Sequence, residues 1–144
     1  MKYTTNSLEQ TQQIATDFIS KLLPKSNSAV VVGLYGNLGA GKTTFTQCLA
    51  KVFGVEETVT SPTFVLEKIY ELTGQKFTHL IHIDAYRIEK SSELLHLGWR
   101  DIISDPNNLV LIEWPERVVD IMPEHSKVNL SHVSENSREI EILD

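Results

Sequence analysis

Gly36-Asn37-Leu38-Gly39-Ala40-Gly41-Lys42-Thr43 constrains this chain more than any other stretch. It has the form G-x-x-x-x-G-K-[S/T], and it stands where such a loop has to stand. Ala29 to Tyr35 before it reads as a buried strand. Thr44 to Phe53 after it carries apolar residues at helical spacing, with Gly54 placed as a stop. Glycines at 36, 39 and 41 allow backbone angles and close approach that side chains would block. Successive N–H groups can then curl around a phosphate, helped by the partial positive charge of the helix N-terminus. Lys42 adds a cation for the β- and γ-phosphates, and the Thr43 hydroxyl a ligand for Mg²⁺. A glycine-rich turn that merely connects strand to helix is the plain alternative, but strand, loop and helix in this order point to a nucleoside triphosphate.

The 144 residues suggest one domain, residues 1–144, with a real core. A net charge of −6 argues against a broad basic footprint for nucleic acid, though not against an RNA held by a partner. The single cysteine, Cys48, lies in the helix after the loop and reads as packing, compatible with a reducing compartment. Residues 1–6 lack the apolar run of a signal peptide, and no stretch approaches membrane-spanning length. A cytoplasmic protein with no membrane partner is the expectation.

Taken in order, Ser7-Leu8-Glu9-Gln10 has the form of a capping box, and the spacing of Ile14, Ala15, Phe18, Ile19 and Leu22 predicts a helix to about Leu23. Thr11 on that helix can edge an adenine or be an ordinary solvated position, the second being the plainer reading. Thr58 to Thr63 is a hydroxyl-rich loop in which Ser61 and Thr63 either sense a γ-phosphate or form a turn. Phe64 to Glu71 and Phe77 to Asp84 read as two strands joined by a turn at 72–76. This hairpin breaks simple strand–helix alternation, so the expected fold is α/β, a P-loop NTPase with a mixed sheet flanked by helices. Ser91 to Leu97 reads as a short helix stopped by Gly98, with Trp99 to Ile103 continuing it. Leu109 to Glu113 is a buried strand ending in a carboxylate, and Pro115 suits the first turn of another helix that Pro123 ends. Lys127 to Val133 and Arg138 to Leu143 look like a terminal hairpin.

Phosphoryl transfer asks for charge neutralisation on the phosphates and an aligned nucleophile. Lys42, Thr43 and Mg²⁺ answer the first need. Asp84 and Glu113 both follow apolar runs, so both reach the ligand-binding edge of an α/β sheet. Glu113 stands where many such strands carry Asp, which leaves open which acid takes the metal. We place Glu113 with the metal and Asp84 with the attacking water, while either can instead cap a helix or pair with Arg87 or Arg117. His79, His82 and Asp84 are not read as a zinc site, because His79 points away from the other two and no second ligand group follows. Trp114 either stacks on a base, shapes the site or fills the core. Arg138 can return a cation to the nucleotide.

The run Gly36 to Thr44, Ser61-Pro62-Thr63-Phe64, His82-Ile83-Asp84-Ala85-Tyr86-Arg87, Glu93 to Gly98 and Ile112-Glu113-Trp114-Pro115-Glu116 together resemble the TsaE (YjeE) family. The middle segments carry the resemblance more specifically than the phosphate loop does. It implies a small ATPase required in bacteria for threonylcarbamoyladenosine modification of transfer RNA beside the anticodon. It also implies that the protein acts with the TsaD–TsaB complex, where TsaD handles the transfer, so that RNA is met only through that complex. The implied cofactors are ATP and Mg²⁺. The implied catalytic residues are Lys42, Asp84 and Glu113, with Thr43 and Glu113 on the metal. Nucleotide contacts are implied at Leu8, Thr11, Leu38, Gly39, Ala40, Gly41, Lys42, Thr43, Thr44, Trp114 and Arg138. Rival readings fare worse. A small-metabolite kinase would want an arginine-rich lid, yet only four arginines occur, and a GTP switch would carry an Asn-Lys-x-Asp motif that is missing. A non-enzymatic docking module controlled by nucleotide stays open.

Overall fold

The computed structural model describes residues 1–37, 39–56 and 66–143. Leu38, Ser61, Thr63 and the first two residues of the Phe64 to Glu71 run lie outside the described residues. The chain runs β1 (Lys2–Thr5), α1 (Leu8–Lys21), β2 (Val30–Tyr35), α2 (Lys42–Val52), β3 (Glu67–Glu71), β4 (His79–Asp84), α3 (Ser91–Leu95), α4 (Trp99–Ser104) and β5 (Asn108–Glu113). A 3₁₀ segment (Pro115–Ile121) and the strands β6 (Ser126–Ser134) and β7 (Ser137–Leu143) complete it.

The strands form one seven-stranded sheet in the order β1-β7-β6-β2-β5-β4-β3. β6, β2, β5 and β4 run parallel, while β3, β7 and β1 each pair antiparallel with a neighbour, so the sheet is mixed. The central strands are continuous apolar runs because both faces are covered. Alternation divides them cleanly. Val30, Val32 and Leu34 of β2, Leu80 of β4, and Leu109 and Leu111 of β5 face the core under α1 and α2. Val31, Ile81, Ile83, Val110 and Ile112 face the opposite core, under α3, α4 and the 3₁₀ segment. By the same period of two, His82, Asp84 and Glu113 belong to the α2 face.

α1 begins as expected, with the Ser7 hydroxyl accepting from the Gln10 N–H at 3.2 Å. It ends at Lys21, where Lys76 from the β3–β4 turn donates to the Ile19 and Leu22 carbonyls. Three features depart from the sequence reading. Residues 2–5, where the sequence reading named no strand, pair with β7 along Lys2↔Glu141 to Thr5↔Arg138 and close the sheet edge. Gly98, at φ +83, stops α3 as its position suggests, but Trp99 to Ser104 form a separate helix, α4, and do not continue the first. Thr11 is not solvated: it is 3% exposed, and its Oγ1 lies 3.1 Å from that of Thr5.

Candidate functional site

The topology gathers the candidate residues on one edge. β2, β5 and β4 are parallel and end together, with Leu34 level with Glu113 and Glu113 level with Asp84. β6 ends on the same side because it runs parallel to β2. β7 turns back from β6 after Glu135-Asn136, so its second residue, Arg138, stands at that same edge. β1 ends there too, opposite Arg138, and hands the chain to α1 at Leu8. Ligands of open α/β sheets bind outside the carboxyl ends of such strands.

The phosphate loop is shaped by its glycines. Gly36 has φ +144, and a Cβ there would lie 2.4 Å from the Leu130 carbonyl oxygen of β6. Gly41 has φ +103 and stands as N-cap of α2 with no side chain to close the helix end. The N–H groups of the first turn are therefore open to an anion. A Cβ on Gly41 would meet the Arg138 side chain, 2.9 Å from Nε, so the guanidinium arm lies directly against the loop. Gly39 is exposed and Ala40 buried, its N–H donating to the Asn37 carbonyl at 3.0 Å.

Lys42 is nearly buried, at 5% exposure. Its ammonium donates to the Gly36 carbonyl and, at 3.0 Å, to that of Asn37. It also stands 4.1 Å from the centre of the Trp114 ring. Burial pulls the Lys42 pKa below the ordinary lysine value, and Glu113, Glu116 and Asp84 oppose that pull.

Trp114 is half-buried and packs against the second core while its ring lies beside the Lys42 ammonium. Its φ of +59 is the one positive value at a non-glycine residue among the described residues. Such a conformation costs roughly 1–3 kcal/mol and persists only where its surroundings hold it. Here its N–H reaches the Leu34 carbonyl at 3.3 Å, its carbonyl accepts from Arg117, and Tyr86 packs on the ring at 5.0 Å. The Arg117 guanidinium lies 5.5 Å from the Tyr86 ring, so an aromatic strip leads outward from Lys42.

The two acids differ. Glu113 is 2% exposed, with the Thr43 hydroxyl 3.4 Å from Oε1 and His82 Nε2 2.6 Å from Oε2. Glu113 is thus tied to the histidine of the neighbouring strand. Asp84 is half-buried at the strand end, its Oδ1 accepting from the Tyr86 N–H at 3.0 Å. The segment beyond is steadied by Glu93, whose carboxylate accepts from the Lys90 and Glu89 N–H groups and is held below the usual carboxylate range by them.

Leu8 and Thr44 line one cleft of about 350 Å³ between α1 and α2, together with Gln12, Gln47 and Cys48. Gln12 ties the two helices by donating to the Cys48 carbonyl at 2.9 Å. Cys48 is buried, and burial raises its thiol pKa. Thr11 supports this corner from beneath, bonded to Thr5 and to the Ser7 carbonyl. His82 is the residue sequence reasoning passed over. Its period-two relation to Asp84 was visible, but its partner lies 31 residues away on another strand.

The donor set fits a nucleoside triphosphate with Mg²⁺. An uncapped helix start, a cradle that a Cβ would fill, and two cationic arms suit the phosphates. Thr43 and Glu113 put two hard oxygens within 3.4 Å of each other, the ligand type Mg²⁺ takes. Among the described residues, no helix is long and apolar enough to cross a membrane.

A protein-family model described as "Threonylcarbamoyl adenosine biosynthesis protein TsaE" matches residues 5–140. A protein named tRNA threonylcarbamoyladenosine biosynthesis protein TsaE from Rickettsia conorii is 36% identical over 143 residues, covering 98% of this chain and 77% of that one. Its namesake from Treponema pallidum is 32% identical, with 99% of each chain covered. Among solved structures, that of Bacillus subtilis YdiB matches with a TM-score of 0.69 and 28% identity, over 97% of this chain and 82% of that one.

Proposed function

This chain belongs to the TsaE family, and from that premise we propose that it is a Mg²⁺-dependent ATPase of threonylcarbamoyladenosine formation on transfer RNA. It works with the TsaD–TsaB complex in the cytoplasm and meets RNA only through that complex. The names of its relatives support the pathway. The observation that supports the ATPase reading is the Thr43 hydroxyl 3.4 Å from Glu113 Oε1 at the start of α2, with the Lys42 ammonium in electrostatic reach of that acid.

In this reading the α2 N-terminus, the loop N–H groups and Lys42 hold the phosphates, and Arg138 closes on them from β7. Leu8 and Thr44 form the corner that receives the rest of the nucleotide, with Thr11 buried beneath them as its support, and Leu38 and Trp114 complete its contacts. Thr43 and Glu113 hold Mg²⁺, which when bound neutralises phosphate charge. Asp84 orients the attacking water and takes its proton. The whole chain acts as one ATPase domain. The segment from Asp84 to Arg87, together with Ser61 and Thr63, relays nucleotide state to the partner surface.

Co-elution with TsaD–TsaB in the presence and absence of a non-hydrolysable ATP analogue tests docking, and phosphate release tests stimulation. ATP is expected to strengthen docking, and the complex to accelerate hydrolysis. Equal multi-turnover modification by TsaD and TsaB without this protein would overturn the assignment.

A further inference from the structure

We propose that His82 is the positioning residue of Glu113: it fixes the rotamer of the acid that takes the metal and so sets the protein's affinity for Mg²⁺. The inference deepens the reading above and rests on Glu113 and Thr43 being the Mg²⁺ ligands.

His82 is fully buried, at 0% exposure, on the second position before the Asp84 strand end. Its Nε2 stands 2.6 Å from Glu113 Oε2. In the ionised form that takes a metal, the Glu113 carboxylate only accepts, and Nε2 is then the donor of this bond. The other ring nitrogen, Nδ1, is buried and has no hydrogen-bond partner among the described residues. An imidazole kept for packing alone would be a poor choice here. An unpartnered buried nitrogen costs roughly 1–3 kcal/mol, and an apolar side chain of like volume avoids that cost. What the imidazole supplies is the one short bond to Glu113.

Glu113 needs that bond. The last torsion of a glutamate is broad and nearly two-fold, so the carboxylate does not orient itself. At 2% exposure water is not at hand to hold it. The Thr43 hydroxyl, at 3.4 Å from Oε1, is at the long limit of a hydrogen bond and exerts little hold. The His82 bond occupies Oε2 and thereby leaves Oε1 turned toward Thr43, the other metal-side oxygen. His82 is also joined by the ladder to Leu111, two residues before Glu113, so the bond crosses between the two acid-bearing strands. Partners that orient a metal ligand in this way are worth about 10–100-fold in metal affinity.

Two substitutions separate positioning from packing. In His82→Gln the amide nitrogen reaches where Nε2 was and can still donate to Glu113. In His82→Asn it falls where Nδ1 was, and the donor is lost while polarity is kept. A fluorescent non-hydrolysable ATP analogue is titrated in EDTA, and the Mg²⁺ concentration giving half of the metal-linked gain in affinity is then measured. His82→Asn is expected to raise that midpoint by about 10–100-fold, His82→Gln to leave it close to the parent's, and both to keep the affinity seen in EDTA. Should His82→Asn fail to fold, His82→Leu, closer in volume, deletes the donor in its place. Equal midpoints in the Gln and donor-less variants overturn the proposal, as does a loss of the same size in EDTA, which marks a packing role. A parent without any Mg²⁺-linked gain overturns the metal reading itself, and this inference with it.

Discussion

The edge of the sheet where the site lies has an acid side and a cation side, built on opposite plans. The acids come from adjacent parallel strands: Asp84 and Glu113 are ladder partners, and His82 locks Glu113 from within the same pair of strands. The cations come from parts of the fold that do not touch in sequence. Lys42 opens α2, and Arg138 begins the returning arm of the terminal hairpin, reaching across to Gly41. Short side chains on a hydrogen-bonded ladder are held in place by the ladder. Long ones are held by what they lie on, a tryptophan ring for Lys42 and a glycine for Arg138. The difference teaches a division of labour: alignment is left to strand register, and charge is delivered by arms.

The sharpest way to break that division is Asp84→Asn. If the acid side aligns chemistry, phosphate release falls by about 10²–10⁴-fold while analogue binding stays within a few-fold. Equal losses of both would erase the distinction. On the cation side, Lys42→Ala is expected to weaken the analogue by about 10–100-fold, the size of a lost charge-assisted bond of ~1.5–3 kcal/mol. Turnover at saturating nucleotide reports separately whether the lysine also acts in the chemical step.

Arg138→Ala sharpens the comparison at smaller amplitude. The residue lies on the loop from outside, so a loss of about 3–10-fold in affinity is expected, diminishing with salt. A salt-independent loss would mean that the side chain works by packing on Gly41.

Glu67 supplies the smallest effect and a control for the acid side. Its Oε1 is buried with no partner among the described residues, and burial raises its pKa above the ordinary glutamate value. The folded state therefore holds this proton more tightly than the unfolded chain does. Its stability contribution is present below about 4.5 and is lost as pH rises through the raised pKa. Glu67→Gln is expected to raise the melting temperature by about 2 °C at pH 7, and the gain to shrink toward pH 4. Gain at both values would show that charge is not the cause.

Much of this was legible in the residues. The phosphate loop, its strand and its helix follow from Gly36 to Thr43 and the apolar runs beside them, because local spacing specifies both periods. The paired acids were legible as strand ends, and the terminal hairpin as two alternating segments. The Lys2–Thr5 strand was not, because four residues are too few to show a period, though Tyr3, Thr4 and Thr5 favour strands, and β7 supplies the edge they pair with. Thr11 read as solvated in turn: what buries it is Thr5 of that strand.

The sequence by itself determined which groups exist for phosphate chemistry: a flexible N–H cradle, a lysine, a hydroxyl and two strand-end acids. Only the tertiary structure decided their company. Strand order 6-2-5-4 set Asp84 beside Glu113, and the antiparallel return of β7 carried Arg138 to Gly41. The fold also joined His82 to an acid 31 residues away. Local pattern encodes what a segment buries, whereas register between strands distant in sequence is settled by which apolar faces pack together.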